Sequence, residues 1–316
     1  MSAIVTPERI LKDLQQLWAD LGKADEYGVL RACSMTVVVA ADEEEDAAGL
    51  EETLARVMQR HPSRAIVLRV RDGGDVYFES GVKAVCWPIG NRKQICIEEI
   101  EIRCSDASLP DAPRMVLALT VPDLPVVLVC RSPRWLMVPS FAPMTALAGR
   151  VIVDSRRAEN TLAILRQIAR SGSVHDLAWT SITPWRKHAA AAFDDAENLR
   201  CLSTLNTVTI AHGGDKPGPA ALYLAAWLAA PTAAQVRFRG GAGCDLQSVM
   251  LEGPGFQLEF TLQPPSGLCV VRNGLAKKEA FVLSSDWELL DEELAMPGRD
   301  RVFAEVLPKA IALAEG

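Results

Sequence analysis

The run Met35-Thr36-Val37-Val38-Val39-Ala40-Ala41 is apolar and rich in β-branched residues, and Ala65-Ile66-Val67-Leu68-Arg69-Val70 repeats the pattern thirty residues later. Between them lie the acidic cluster Glu43-Glu44-Glu45-Asp46, then Leu50, Leu54, Val57 and Met58 at helical spacing, then the stop His61-Pro62. The order is strand, helix, strand. The connection is too long for a hairpin and long enough for a helical crossover, so the two strands are expected to pair in parallel. The acidic cluster suits the positive end of the intervening helix and is read as a solvated helix start, not as a metal site.

Before this unit, Thr6 is placed to cap a helix beginning at Pro7, with Ile10, Leu11, Leu14, Leu17, Trp18 and Leu21 on one face. After it come strand patterns at 76–85 and 94–104. In the second of these the alternation of Ile95 and Ile97 slips across Glu98-Glu99 before Ile100 and Ile102, which predicts a bulge. A helix over 114–119, a continuous apolar strand at 126–129 and a shorter one at 151–153 follow, and continuous runs of this kind belong in strands covered on both faces. A helix over 159–170, with Leu162, Leu165 and Ile168 together, closes the region, and Ser171-Gly172-Ser173 reads as a linker. Residues 1–172 are therefore expected to form a mostly parallel, three-layer α/β domain.

From 173 to 316 the pattern changes to α+β. A helix near 185–193, a strand at 207–211 and a helix over 219–229 precede short β runs at 235–238, 248–251, 257–262, 269–272 and 280–283. Gly253-Pro254-Gly255, Pro264-Pro265-Ser266-Gly267 and Asn273-Gly274 separate them tightly, which predicts an antiparallel meander. A helix over 301–314 ends the region.

At 316 residues, two domains are the natural reading, since domains run to about 100–200 residues. With 49% hydrophobic and 23% charged residues, the chain is of globular composition and not of the kind that stays disordered. A net charge of −7 opposes phosphate backbones and anionic lipid, so neither nucleic acid nor membrane is an expected partner. Glu8, Arg9, Lys12, Asp13 and Asp20 break up any signal-peptide core, and the most apolar run, 126–130, is far short of the roughly 20 residues that a spanning helix requires. The cytosol is the expected compartment. The eight cysteines are scattered, with no two-residue spacing, and are expected to be reduced, mostly buried thiols.

The sequence carries no Walker loop, no Gly-x-Gly-x-x-Gly after a strand, no Gly-x-Ser-x-Gly and no His-Glu-x-x-His, and its four histidines are far apart. No catalytic residue, metal ligand or cofactor is assigned. Two loops are weak anion candidates. Gly213 and Gly214 precede the helix at Pro219, where free amides attract negative charge, although a plain turn and cap explains them as well. Arg131 and Arg134 follow the strand at 126–129, at the strand end where ligands bind in open α/β sheets, although a solvated loop is the simpler account. The densest signal is Asp176-Leu177-Ala178-Trp179-Thr180-Ser181-Ile182-Thr183-Pro184-Trp185-Arg186. Two tryptophans and an arginine in one short stretch are what a packed domain junction or a binding hot spot requires.

This last segment, together with His61-Pro62-Ser63-Arg64-Ala65-Ile66, Asp123-Leu124-Pro125-Val126, Ile152-Val153-Asp154-Ser155 and Ser248-Val249-Met250-Leu251-Glu252, resembles the glucose-6-phosphate dehydrogenase assembly protein family, OpcA. The resemblance covers most of the chain and departs from many relatives at Val129-Cys130, where they carry two tryptophans. It implies a non-catalytic protein that binds glucose-6-phosphate dehydrogenase and raises its assembly or activity in the oxidative pentose phosphate pathway. Trp179, Thr183, Trp185 and Arg186 are then the first candidates for the partner contact, with His61 and Arg64 second. The alternative from the residues alone is a sugar-phosphate-binding protein or enzyme using the Arg131/Arg134 loop or the 212–218 turn.

Overall fold

Helix α1 (Pro7–Ala24) opens the fold, its Arg9 amide donating to the capping Thr6 Oγ1 at 3.4 Å and its Ile10 and Leu14 buried. There follow β1 (Val29–Arg31), β2 (Met35–Asp42), α2 (Ala47–Arg60), β3 (Ser63–Arg71), β4 (Phe78–Ile89), β5 (Lys93–Ser105), α3 (Ala112–Leu119), β6 (Val126–Cys130), α4 (Ala142–Leu147), β7 (Arg150–Val153), α5 (Thr161–Ile168) and β8 (Ser173–Asp176). The remaining elements are α6 (Leu177–Ser181), α7 (Thr183–Ala192), α8 (Ala196–Leu202), β9 (Thr207–Gly213), α9 (Pro219–Ala229), β10 (Gln235–Gly241), β11 (Ser248–Gly253), β12 (Phe256–Gln263), β13 (Gly267–Arg272), β14 (Leu275–Ala280), α10 (Asp286–Ala295) and α11 (Arg301–Glu315). This is a computed structural model, and it describes residues 5–24, 29–45, 47–89, 93–159, 161–170, 172–232, 234–296 and 298–315. Asp46 of the acidic cluster, Ser171 of the expected linker and the first four residues lie outside them. The chain divides into two units, 1–175 with 286–297, and 176–285 with 298–316. The expected boundary at 172/173 falls three residues before the first division, and the segment carrying α10 groups with the first unit.

In the first unit the strands lie in the order β1-β5-β3-β2-β6-β7-β8, with β4 on the free side of β5. β2 pairs in parallel with both β3 and β6, β3 with β5, and β6 with β7. Because β2 and β3 are buried along almost their whole length, both sheet faces are covered, which is why their sequences are continuously apolar instead of alternating. Helix α2 buries Leu50, Leu54, Val57 and Met58 and packs on α10, which buries Leu289, Leu290 and Leu294. The chain runs outward from β2 through β3 to β5, then returns to lay β6 on the other side of β2. At that reversal the loops leaving β2 and β6 diverge and open a crevice at the carboxyl ends of the strands.

In the second unit the order is β10-β9-β11-β12-β13-β14, with β9 and β10 parallel and the other pairs antiparallel. Val208 and Ile210, Val249 and Leu251, and Leu258 and Phe260 form the buried face. Helix α9 is apolar all round and correspondingly buried on nearly every side, packed on β9, α6 and α11.

Three sequence expectations are corrected. There is no bulge in β5: its register with β3 runs unbroken through Arg64↔Glu98, Ala65↔Glu99 and Ile66↔Ile100. The apparent slip arises because Glu98 occupies a core position in phase with Cys96, Ile100, Ile102 and Cys104, neutralised there by Arg64 Nε at 2.6 Å and Arg31 at 2.7 Å, with Trp18 Nε1 also donating. The last strand of the meander is β14, not 280–283. Asn273 and Gly274 both have positive φ (46° and 87°), the signature of a two-residue hairpin turn, so the strand must restart at Leu275 despite its charged sequence. Finally, Cys86 and Cys96 are not reduced thiols: they face each other across the β4–β5 pair, Cα atoms 4.1 Å apart, and form a disulfide. Their ten-residue separation concealed a contact that only the antiparallel register creates.

Candidate functional site

The crevice of the first unit has a volume of about 590 Å³ and is lined by 42–45 at the end of β2 and beyond it, 70–72 at the end of β3, 131–134 after β6, and 157–158 after β7. The β2 loop here is Asp42-Glu43-Glu44-Glu45. A dinucleotide-binding sheet places small glycines at this turn so that a pyrophosphate can approach the backbone. This loop presents carboxylates instead, and they are matched by arginines. The backbone fixes the frame: Arg131 N donates to Ala40 O at 2.9 Å, Ser132 Oγ accepts from Asp42 N at 2.9 Å, and Asp154 N donates to Cys130 O at 3.1 Å.

Both sequence-selected arginines are already engaged. Arg134 Nη2 and Nε reach Asp42 Oδ1 at 2.7 and 2.9 Å, its Nη1 reaches Asp72 at 2.6 Å, and its guanidinium stacks 4.3 Å from the ring of Trp135, whose Nε1 also donates to Asp42. Hydrogen bonding to Asp42 holds the Arg134 pKa above its usual value against burial. Arg131, buried, binds Glu45 Oε1 at 2.6 Å and Asp286 Oδ2 at 3.2 Å. Arg156 and Arg157 complete the group. Arg156 holds Asp154 at 2.6 and 2.8 Å, and Arg157 holds Asp154 at 2.8 Å and Glu45 at 3.0 Å. Both also bind Asp286. Burial opposes ionisation of Asp286, but Arg156, Arg131 and Arg157 outweigh it and hold its pKa down to about 2. Beneath the crevice the buried Cys130 thiol is pushed up, by burial first and by Asp42 second, so it is not a thiolate nucleophile. Asp286, Arg156, Arg157 and Glu45 were missed at the level of sequence. The signal for two of them was available, since Arg156-Arg157 follows a strand end in the same way as Arg131 does.

The glycine loop of the second unit serves close packing. A Cβ on Gly213 would stand 2.4 Å from Gly243 O, and one on Gly240 would stand 2.7 Å from Gly214 O, so the 212–218 and 239–244 loops meet backbone to backbone. Gly214 N donates to Gly241 O at 2.9 Å, and His212, buried, keeps Nδ1 2.9 Å from Gly213 O.

The tryptophan segment is packed into the core of the second unit. Asp176 Oδ1 caps α6 by accepting from Ala178 N, and its Oδ2 accepts from the buried Tyr223 hydroxyl at 2.7 Å. Trp179 donates Nε1 to Asp300 Oδ2 at 2.7 Å and lies edge-on to Tyr223 and tilted against Phe303. Trp185 packs against Phe281 with ring centroids 5.1 Å apart. Both tryptophans are about 97% buried. Arg186 stacks 3.8 Å over Trp179 and donates to Thr183 Oγ1, and these two residues are half-buried at the start of α7. In the first unit, His61 Nε2 lies 3.0 Å from Asp291 Oδ1, while Arg64 is buried, binding Glu98 and Leu119 O.

Among the described residues, no group of three or more His, Cys, Asp or Glu side chains is arranged to hold a metal ion, and no helix is long and apolar enough to cross a membrane.

Two solved structures of similar backbone course are an NAD binding oxidoreductase from Klebsiella pneumoniae (10% identity, covering 89% of this chain and 95% of that one, TM-score 0.48) and an aldose-aldose oxidoreductase from Caulobacter crescentus (10% identity, 88% and 95%, TM-score 0.47). In sequence, the chain is 26% identical over 191 residues to the OxPP cycle protein OpcA of Synechocystis sp., a match covering 58% of this chain and 39% of that protein. The chain thus spans about two-fifths of the length of this curated relative. Residues 55–170 match the glucose-6-phosphate dehydrogenase subunit N-terminal domain, and residues 172–307 match the C-terminal domain of the same subunit. With both domains matched in order, the chain belongs to the OpcA family of glucose-6-phosphate dehydrogenase assembly proteins.

Proposed function

We propose that the protein is a non-catalytic subunit that binds glucose-6-phosphate dehydrogenase in the cytosol and supports the oxidative pentose phosphate pathway by aiding that enzyme's assembly or raising its activity. The observation that carries this reading is the ordered match of both family domains. The crevice residues Arg131, Arg134 and Arg157 fit it, because each is committed to a carboxylate within the chain. The proposed contact is the outward side of the α7 start, Thr183 and Arg186, with Trp179 and Trp185 as the packed support that sets its shape. His61, partly exposed just after the end of α2, is the second candidate, and Arg64 supports the sheet beside it.

The test is the rate of glucose-6-phosphate dehydrogenase from the same cell at subsaturating substrate, with and without this protein in excess. A rate that rises and saturates, with co-elution on a sizing column, is expected. An unchanged rate without co-elution would refute the reading. Arg186→Ala, made in a chain shown to be folded, is expected to weaken co-elution at least severalfold, and normal binding would move the contact elsewhere.

A further inference from the structure

Three guanidinium groups of the first unit converge on one carboxylate. Asp286 accepts from Arg156 Nη2 at 2.9 Å, Arg157 Nη2 at 3.0 Å and Arg131 Nη2 at 3.2 Å. The same arginines are shared by Glu45 and Asp154, so the cluster balances three positive charges with three negative ones. The three acids are not equivalent. Asp154 is fully buried and the Glu45 side chain 10% exposed, each at the end of a strand of the sheet, whereas the Asp286 side chain is 33% exposed and stands at the first residue of α10. Arg131 and Arg157 also line the 590 Å³ crevice, a volume suited to a small molecule. Arginine forks bind phosphate through paired hydrogen bonds, and a phosphate presents more oxygens than the two that a carboxylate can offer three guanidinium groups.

We propose that Arg131, Arg156 and Arg157 form a binding site for a small phosphate-bearing molecule, and that Asp286 is its tethered occupant, displaced when phosphate arrives through the crevice. Two acids lining the crevice, Glu43 and Glu44, oppose an incoming anion, while Arg71, which also lines it, favours one. The site is therefore latched in the protein as it stands, and removing the tethered carboxylate releases it. No step depends on the partner enzyme.

The experiment is calorimetric titration of the full chain and its Asp286→Asn variant with inorganic phosphate at fixed ionic strength. The variant is expected to bind phosphate at least tenfold more tightly than the unmodified chain, and adding Arg131→Gln to it should abolish the gain. Equal affinities would overturn the proposal. If Asp286→Asn fails to fold by circular dichroism, amide exchange of the unmodified chain decides. Exchange at 286–290 is expected to be severalfold faster in phosphate than in chloride of matched ionic strength, and unchanged exchange would overturn the proposal.

Discussion

Glu98 shows how one residue can determine both a strand's placement and its stability. Its carboxylate is almost wholly buried, with Arg64, Arg31 and Trp18 all donating to it. Removing one partner of a buried pair leaves the other charge uncompensated, at a cost of about 3–5 kcal/mol. Glu98→Ala is therefore expected to lower the unfolding free energy by roughly 3 kcal/mol in urea titration, and Arg64, stranded in the core, is the reason. Asp286 sets a pH dependence of a definite sign. Its folded pKa of about 2 lies below its ordinary 3.8. The contribution of its ion pairs is then complete above about pH 4 and is lost as pH falls toward 2. Thermal melts between pH 5 and 2 should show the unmodified chain losing stability more steeply than Asp286→Asn over that window. Parallel curves would mean that the three arginines do not hold this carboxylate.

Among elements, the hairpin of β13 and β14 is governed by its turn. Gly274, with φ of 87°, allows the two-residue reversal, and a β-branched residue in the left-handed region is strained by about 1–2 kcal/mol or more. Gly274→Val is expected to lower the unfolding free energy by that amount, read as a lower urea midpoint at unchanged slope. The same hairpin shows what sequence could reveal. β2, α2 and β3 were legible because apolar period, acidic helix start and His61-Pro62 stop all agree. β14 was not, because Leu275-Ala276-Lys277-Lys278 has the composition of a loop and is a strand only through pairing with β13. Helix α10 was not anticipated from the sequence, although its acidic start and Leu289, Leu290 and Leu294 offered a signal, and β8, four residues beside a glycine, had no local signal. For the candidate site, the arginines were legible as residue types. Their carboxylate partners, up to 155 residues away in sequence, became visible only once the sheet order was known.

For the whole molecule, the relevant fact is that the first unit is not continuous in sequence. Its α10 returns after all of 176–285 and covers α2 with Leu289, Leu290 and Leu294. A fragment ending at 175 leaves the α2 face open. It is expected to aggregate or to melt well below the same fragment with 286–297 joined by a flexible linker, measured by light scattering and circular dichroism. Equal melting would mean that α10 contributes nothing to that core.

This discontinuity also orders events in time. At about 5–20 residues per second, the ribosome takes roughly 5–20 s to make 176–285 after the first unit's sheet has been synthesised. Throughout that interval the nascent sheet exists without its last helix, while the second unit also waits for α11. Neither core can close until residues 286–315 emerge, so the chain depends on protection during synthesis more than its finished stability would suggest.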